Sequence, residues 1–169
     1  MAAHVTALDF VVFGIAKSKG NHRAFIPKGM KHPIITESSR GVVSWQQLVA
    51  AAASQALSQK PAAERGLLTV AVRMTIAFYL PRPKKYKKPG QYVPHVVAPD
   101  IDRLERAILD ALTQVAYADD KQVVEVLKGK YYAEVGGAAR VHVRVEPAPY
   151  VKATWPPQDQ PLFELTEAR

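Results

Sequence analysis

The sequence contains no cysteine. Disulfides, a thiol nucleophile and cysteine-ligated zinc are thereby excluded, as suits an intracellular protein. Its five histidines, His4, His22, His32, His95 and His142, are scattered and show no zinc-ligand spacing. No apolar run approaches the length needed to cross a bilayer, so no membrane association is expected. The first residues lack the charged-then-apolar profile of a secretory signal. No Gly-rich phosphate loop, Ser-His-Asp arrangement or Cys-His pair is visible. Acidic residues are scarce in the first half: residues 1–90 hold 14 Lys/Arg against 3 Asp/Glu, whereas residues 91–169 hold 9 against 12.

A chain of 169 residues is long enough for one domain with a real core. Its net charge of +8 lies in the first half, and a basic surface of this kind attracts polyanions, nucleic acid above all. The basic residues cluster. Lys17, Lys19 and Arg23 fall in a turn-rich stretch, and Lys84, Lys85, Lys87 and Lys88 surround Tyr86 between prolines. The second cluster is too rich in proline and lysine to pack a core, so it reads as a solvated loop. Its lysines suit a phosphate backbone, and its tyrosine offers a ring for stacking on a base.

The periodicity predicts an order of strand, loop, helix, strand, basic loop, helix and hairpin. Residues 7–13 read as a strand, with short extended pieces at 24–27 and 33–36. Ser44 with Gln47 three residues on reads as the start of a helix over 45–59, with Leu48, Ala52 and Leu57 near helical spacing and Pro61 ending it. Residues 67–80 alternate as the clearest strand. A second helix is predicted over 102–115, with a stripe of Leu104, Ile108, Leu109 and Leu112. Residues 122–132 and 140–146 alternate again, and Gly136-Gly137 between them suggests a hairpin. The expected fold is α+β: a single domain over 1–146 with a mixed sheet covered by helices. Residues 147–169, rich in proline, are expected to form a tail or an arm that packs on a partner chain.

Most of the chemistry-bearing residues lie between 99 and 120. In Asp100-x-Asp102, extended chain puts both carboxylates on one side, where they repel unless a cation or a shared proton resolves them. Hard oxygen ligands of this kind suit Mg2+ or Mn2+, which leave positions open for phosphate oxygens. Arg106 lies one helical turn after Asp102 and should share its face. The same residues also fit a plain helix start, with Asp102 and Glu105 as a capping box, and Asp119-Asp120 fits a simple turn.

The motif Pro99-Asp100-Ile101-Asp102-Arg103-Leu104-Glu105-Arg106, then Leu109-Asp110-Ala111-Leu112, then Asp119-Asp120-Lys121-Gln122-Val123, resembles the RusA family of Holliday junction resolvases over roughly residues 8–146. The resemblance implies a RusA-like fold and a homodimer that cuts four-way DNA junctions with Mg2+ or Mn2+ in the cytoplasm of a bacterial or phage-infected cell. It implies that Asp100, Asp102 and Asp120 are the essential metal-site aspartates and that Asp119 supports them. It puts Arg106 where the family has a catalytic lysine and Arg103 where it has an asparagine. Position 98, often basic in the family, is alanine. Arginine keeps the positive charge and clamps phosphate, but does not readily give up a proton. Lys17, Lys19, Arg23, Lys84, Lys85, Lys87, Lys88 and Arg103 are the candidate DNA contacts. Two other functions share these features: a branched-DNA-binding protein whose site has lapsed through the arginine changes, and a metal-dependent nuclease acting on flaps or forks.

Overall fold

The computed structural model describes residues 7–20, 22–25, 28–29, 32, 34–37, 41–86, 88 and 92–148, and for 22–25 and 34–37 it describes the backbone alone. Lys87, the side chain of Arg23 and residues 149–169 of the expected tail therefore lie outside the described residues. In chain order the elements are β1 (Leu8–Phe13), β2 (His22–Phe25), β3 (Ile34–Glu37), α1 (Val42–Ser58), β4 (Val72–Leu80), α2 (Ile101–Leu112), β5 (Val123–Tyr132) and β6 (Arg140–Pro147). β2 and β3 form a separate antiparallel pair. The other four strands form one mixed sheet in the order β1-β6-β4-β5.

β4 is an inner strand, and every second residue of it is buried. Val72, Met74, Ile76, Phe78 and Leu80 all point into the core. β1 adds Leu8, Phe10 and Val12, and β6 adds Val141, Val143 and Val145. Helix α2 closes this layer with Leu104, Ala107, Ile108, Ala111 and Leu112. The expected stripe is therefore present, except that Leu109 is only half-buried and the two alanines share its place. Helix α1 packs against β1 and α2. The result is an α+β layer of two helices on one mixed four-stranded sheet.

Three expectations need correction. First, residues 122–132 and 140–146 do not form a hairpin. β4 lies between them, pairing parallel with β5 and antiparallel with β6. The glycine turn exists, with Gly136 at φ +78°, but it carries the chain past the end of β4, where Ala133 N–H donates to the Leu80 carbonyl. Second, α1 begins at Val42 behind Gly41 at φ +79°, and Ser44 caps nothing. Its buried face is Val42, Trp45, Val49 and Ala53, while Leu48 is 54% exposed. An alanine-rich helix has little contrast between its faces, so Trp45, the largest apolar group, sets the phase. Third, β4 starts at Val72, and Leu68 makes only an isolated bridge with Tyr117.

The corrected stripes give a prediction. Leu112→Ala should cost about 2–5 kcal/mol of stability, since it empties a fully buried site. Leu48→Ala should stay within about 0.5 kcal/mol. Urea unfolding of both proteins checks this, and equal losses would contradict the burial pattern.

Candidate functional site

The start of α2 lacks the cap that its sequence suggests. Asp100 occupies the N-cap, yet its side chain makes no capping hydrogen bond. Asp102 sits in the first turn, exposed, and Glu105 does not reach back to it. Glu105 is instead ion-paired with Lys128 of β5. The capping-box reading of Asp102 and Glu105 is thus overturned, and the carboxylates of Asp100 and Asp102 face solvent. Arg103 approaches Asp100 with Nε 3.4 Å from Oδ2, a long contact between groups that are 42% and 62% exposed and hence a weak one. Arg106, one turn after Asp102, is exposed on the same helix. The incoming loop is tied down from β5: the Lys130 ammonium donates to the carbonyls of Val97 (2.8 Å) and Pro99 (2.9 Å).

A capping box does lie downstream. Asp119 caps a short 3-10 turn over Asp120–Gln122: its side chain accepts from Lys121 N–H, and Gln122 Oε1 accepts from Asp119 N–H. Gln122 Nε2 also donates to the carbonyls of Leu68 and Val70. Hydrogen bonds from Lys121 hold the Asp119 carboxyl below the usual carboxylate range. Asp119 is therefore engaged locally, while Asp120 is exposed. Asp120 lies near the C-terminal end of α2. Burial, then the nearby Asp120 and Asp110 carboxylates, push the Tyr117 hydroxyl well above its ordinary range, and that hydroxyl donates to Leu109 O.

The two acidic pairs are consequently far apart within one chain. A 12-residue helix spans about 18 Å, and Asp100 and Asp120 flank its opposite ends. Among the described residues, no group of three or more His, Asp or Glu stands together as a metal cage. The donor chemistry nonetheless suits a hard divalent cation, since both pairs are carboxylates and Asp100, Asp102 and Asp120 are exposed.

The candidate DNA contacts separate as well. Lys17 is exposed beside Gly41. Lys19 is ion-paired with Asp110 of α2, to which Gln46 of α1 also donates, and its N–H donates to Arg103 O. It anchors the basic loop to the first turn of α2. Lys84 and Lys85 occupy a short 3-10 turn with Tyr86, and Lys88 is exposed. The Lys85 ammonium lies 4.9 Å from the Tyr86 ring centre, and that ring packs 5.8 Å from Tyr132. His95 packs against Tyr132 from the next loop, with ring centres 4.3 Å apart and tilted by 41°. Arg82 holds the corner by donating to the carbonyls of Ala133 and Tyr86.

Pattern reading missed Asp110, Lys128, Lys130 and His95 as members of this region. The two lysines left a trace: they interrupt the side of β5 on which Val126 and Tyr132 lie, two residues apart.

His95 makes the region sensitive to acid. Burial, then the Lys130 charge, lowers its pKa below the ordinary 6.5. The folded state therefore favours neutral imidazole, and the unfolded chain binds the proton first. This stability is present above pH 6.5 and is lost as pH falls through the folded value. Burial and the Arg140 charge lower His142 in the same direction. Melting temperature should fall between pH 7 and about 5, and His95→Phe should make that slope shallower. An unchanged slope would take His95 out of the account.

Comparison with known proteins agrees with this architecture. A profile of the family Endodeoxyribonuclease RusA matches residues 16–146. A Bacillus subtilis (strain 168) protein named "Uncharacterized protein YqaN" is similar to this chain, with 30% identity over 135 residues, which is 75% of this chain and 89% of that protein. The matched span runs from the loop after β1 through β6 and includes both acidic pairs, so the chain belongs to the RusA endodeoxyribonuclease family.

Proposed function

We propose that this protein is a divalent-metal-dependent endonuclease that resolves four-way DNA junctions by paired cuts. The observation that carries the reading is the uncapped start of α2. Two carboxylates that could have capped the helix stay in solvent, with Arg106 one turn along. In this proposal Asp100, Asp102 and Asp120 hold Mg2+ or Mn2+. Asp119 supports them by fixing the turn that presents Asp120. A bound metal would supply water activation and charge stabilisation for phosphodiester hydrolysis. Arg106 would bind the scissile phosphate and stabilise charge on its oxygens, a task that needs no proton transfer. Lys17, Lys84, Lys85, Lys87, Lys88 and Arg23 would hold flanking phosphates, and Lys19 would act mainly by anchoring its loop to Asp110.

The separation of the acidic pairs supports a homodimer. β5 is an edge strand of the sheet and carries exposed Val124, Leu127 and Tyr131. If two β5 edges met antiparallel about a two-fold axis, the start of each strand would lie beside the end of the other. Asp120 of one chain would then approach Asp100 and Asp102 of its partner. A two-fold dimer with two such sites matches the two-fold symmetry of a junction and of its paired cuts.

The Arg103–Asp100 contact favours a second reading, a branched-DNA-binding protein that does not cut, because an internal cation then takes the place of the metal at Asp100. One assay separates the two. A synthetic four-way junction and a linear duplex of the same sequence are incubated with Mg2+, Mn2+ or EDTA. Paired, metal-dependent nicks confined to the junction are expected. Asp102→Asn should lower cleavage at least about 100-fold while keeping junction binding, because it removes a ligand and a negative charge near phosphate. Cleavage that survives in Asp102→Asn would refute the metal assignment, and tight binding without cuts by the unmodified protein would establish the second reading.

The shared site has its own test. Asp102→Asn and Asp120→Asn proteins are each expected to be inactive, but unfolding and refolding them together should recover nicking to about a quarter of the unmodified level, because mixed dimers hold one intact site. No recovery, with subunit exchange verified, would mean that each site lies within one chain.

A further inference from the structure

Lys128 and Lys130 occupy unusual positions. In the parallel register, Lys128 stands opposite Ile76 and Lys130 opposite Phe78, two fully buried core residues. Alternation would put apolar side chains there. Bringing an ammonium part of the way out of water is costly unless hydrogen bonds replace the lost solvent. Lys128 recovers that cost through the Glu105 carboxylate. Lys130 reaches two backbone carbonyls, those of Val97 and Pro99. The second is the carbonyl of the peptide unit that leads directly into Asp100.

The same loop is held to β5 at another point. His95 packs at a tilt against Tyr132, two residues beyond Lys130 on the same strand face. Asp100 has no capping bond of its own to set its orientation. The path of the chain into Asp100 is therefore fixed from β5 by one ammonium and one aromatic contact. The ammonium also brings positive charge toward a pair of carboxylates that repel each other.

We propose that Lys130 is a positioning residue: its hydrogen bonds to Val97 and Pro99 hold the entry to α2 so that Asp100 and Asp102 face a divalent cation together. This rests on the metal-site reading of that pair. Lys130 acts through the loop and need not touch DNA.

The test compares Lys130→Met, Lys130→Arg and Lys128→Met in the full chain. Amide hydrogen exchange of the metal-free proteins is read over residues 96–102. Mg2+ binding is measured by calorimetry with Mg2+ alone, and junction binding is measured in EDTA. Lys130→Met should speed exchange over this segment at least about tenfold. It should also weaken Mg2+ binding by about 10-fold or more, while junction binding stays within about twofold. Lys130→Arg, which still presents donors to both carbonyls, should return both quantities to near the unmodified values. Lys128→Met should leave exchange at 96–102 unchanged, so that a general loss of packing is told apart from a loss of position. Unchanged exchange, or faster exchange with unchanged Mg2+ affinity, overturns the proposal. Should Lys130→Met fail to fold, Lys130→Gln, which keeps one amide donor, is read against the same criteria. An unmodified protein that binds Mg2+ yet leaves junctions uncut would end the nuclease reading, and the exchange and calorimetry would still decide Lys130.

Discussion

Two adjacent parallel strands force the chain to return along the whole length of the sheet before the second can begin. In this protein the parallel pair is β4 and β5, and α2 makes the return. Every feature of the candidate site follows from that constraint. Because α2 covers the return, its start lies at the ends of β4 and β5, and its end lies where β5 begins. Asp100 and Asp102 stand at the first place and Asp119 and Asp120 at the second. The crossover that builds the core also separates the acids by the length of a helix.

The acidic residues of this region divide by their partners. Glu105 is held by Lys128, Asp110 by Lys19 and Gln46, and Asp119 by Lys121 and its own turn. The first bond fixes α2 against β5, the second fixes it against the basic loop and α1, and the third stays within the turn that leads into β5. Asp102 and Asp120 are exposed, and Asp100 has only the weak contact from Arg103. The acids in firm bonds thus build the frame, and the exposed ones face outward from it.

The basic corner shows the same division. Arg82 is spent on the carbonyls of Ala133 and Tyr86, so that Lys84 and Lys85 are presented on a fixed turn. Tyr86, Tyr132 and His95 pack in series beneath it, close to the loop that enters α2. The basic turn thus packs on the end of β5, the strand that also holds the loop entering Asp100.

What the sequence determined by itself was the periodicity set by neighbours along the chain, though not the helix caps read at Ser44 and Asp102. The alternation of Val72 through Leu80, the stripe of Leu104, Ile108 and Leu112, and the spacing of Asp100, Asp102 and Asp120 are local patterns, and local sterics make them readable. The acidic motifs pointed to the RusA family for the same reason, since their residues are close in sequence. Tertiary structure alone decided which strands are neighbours. Strands 122–132 and 140–146 carry the alternation and the glycine turn of a hairpin, but the apolar face of β4 buries more when it lies between them. It also decided the phase of α1, where alanine on several faces left only the burial of Trp45 to choose. And it decided the roles of Lys128 and Lys130, whose partners are 23 to 33 residues away and meet them only because the crossover brings the start of α2 over the end of β5.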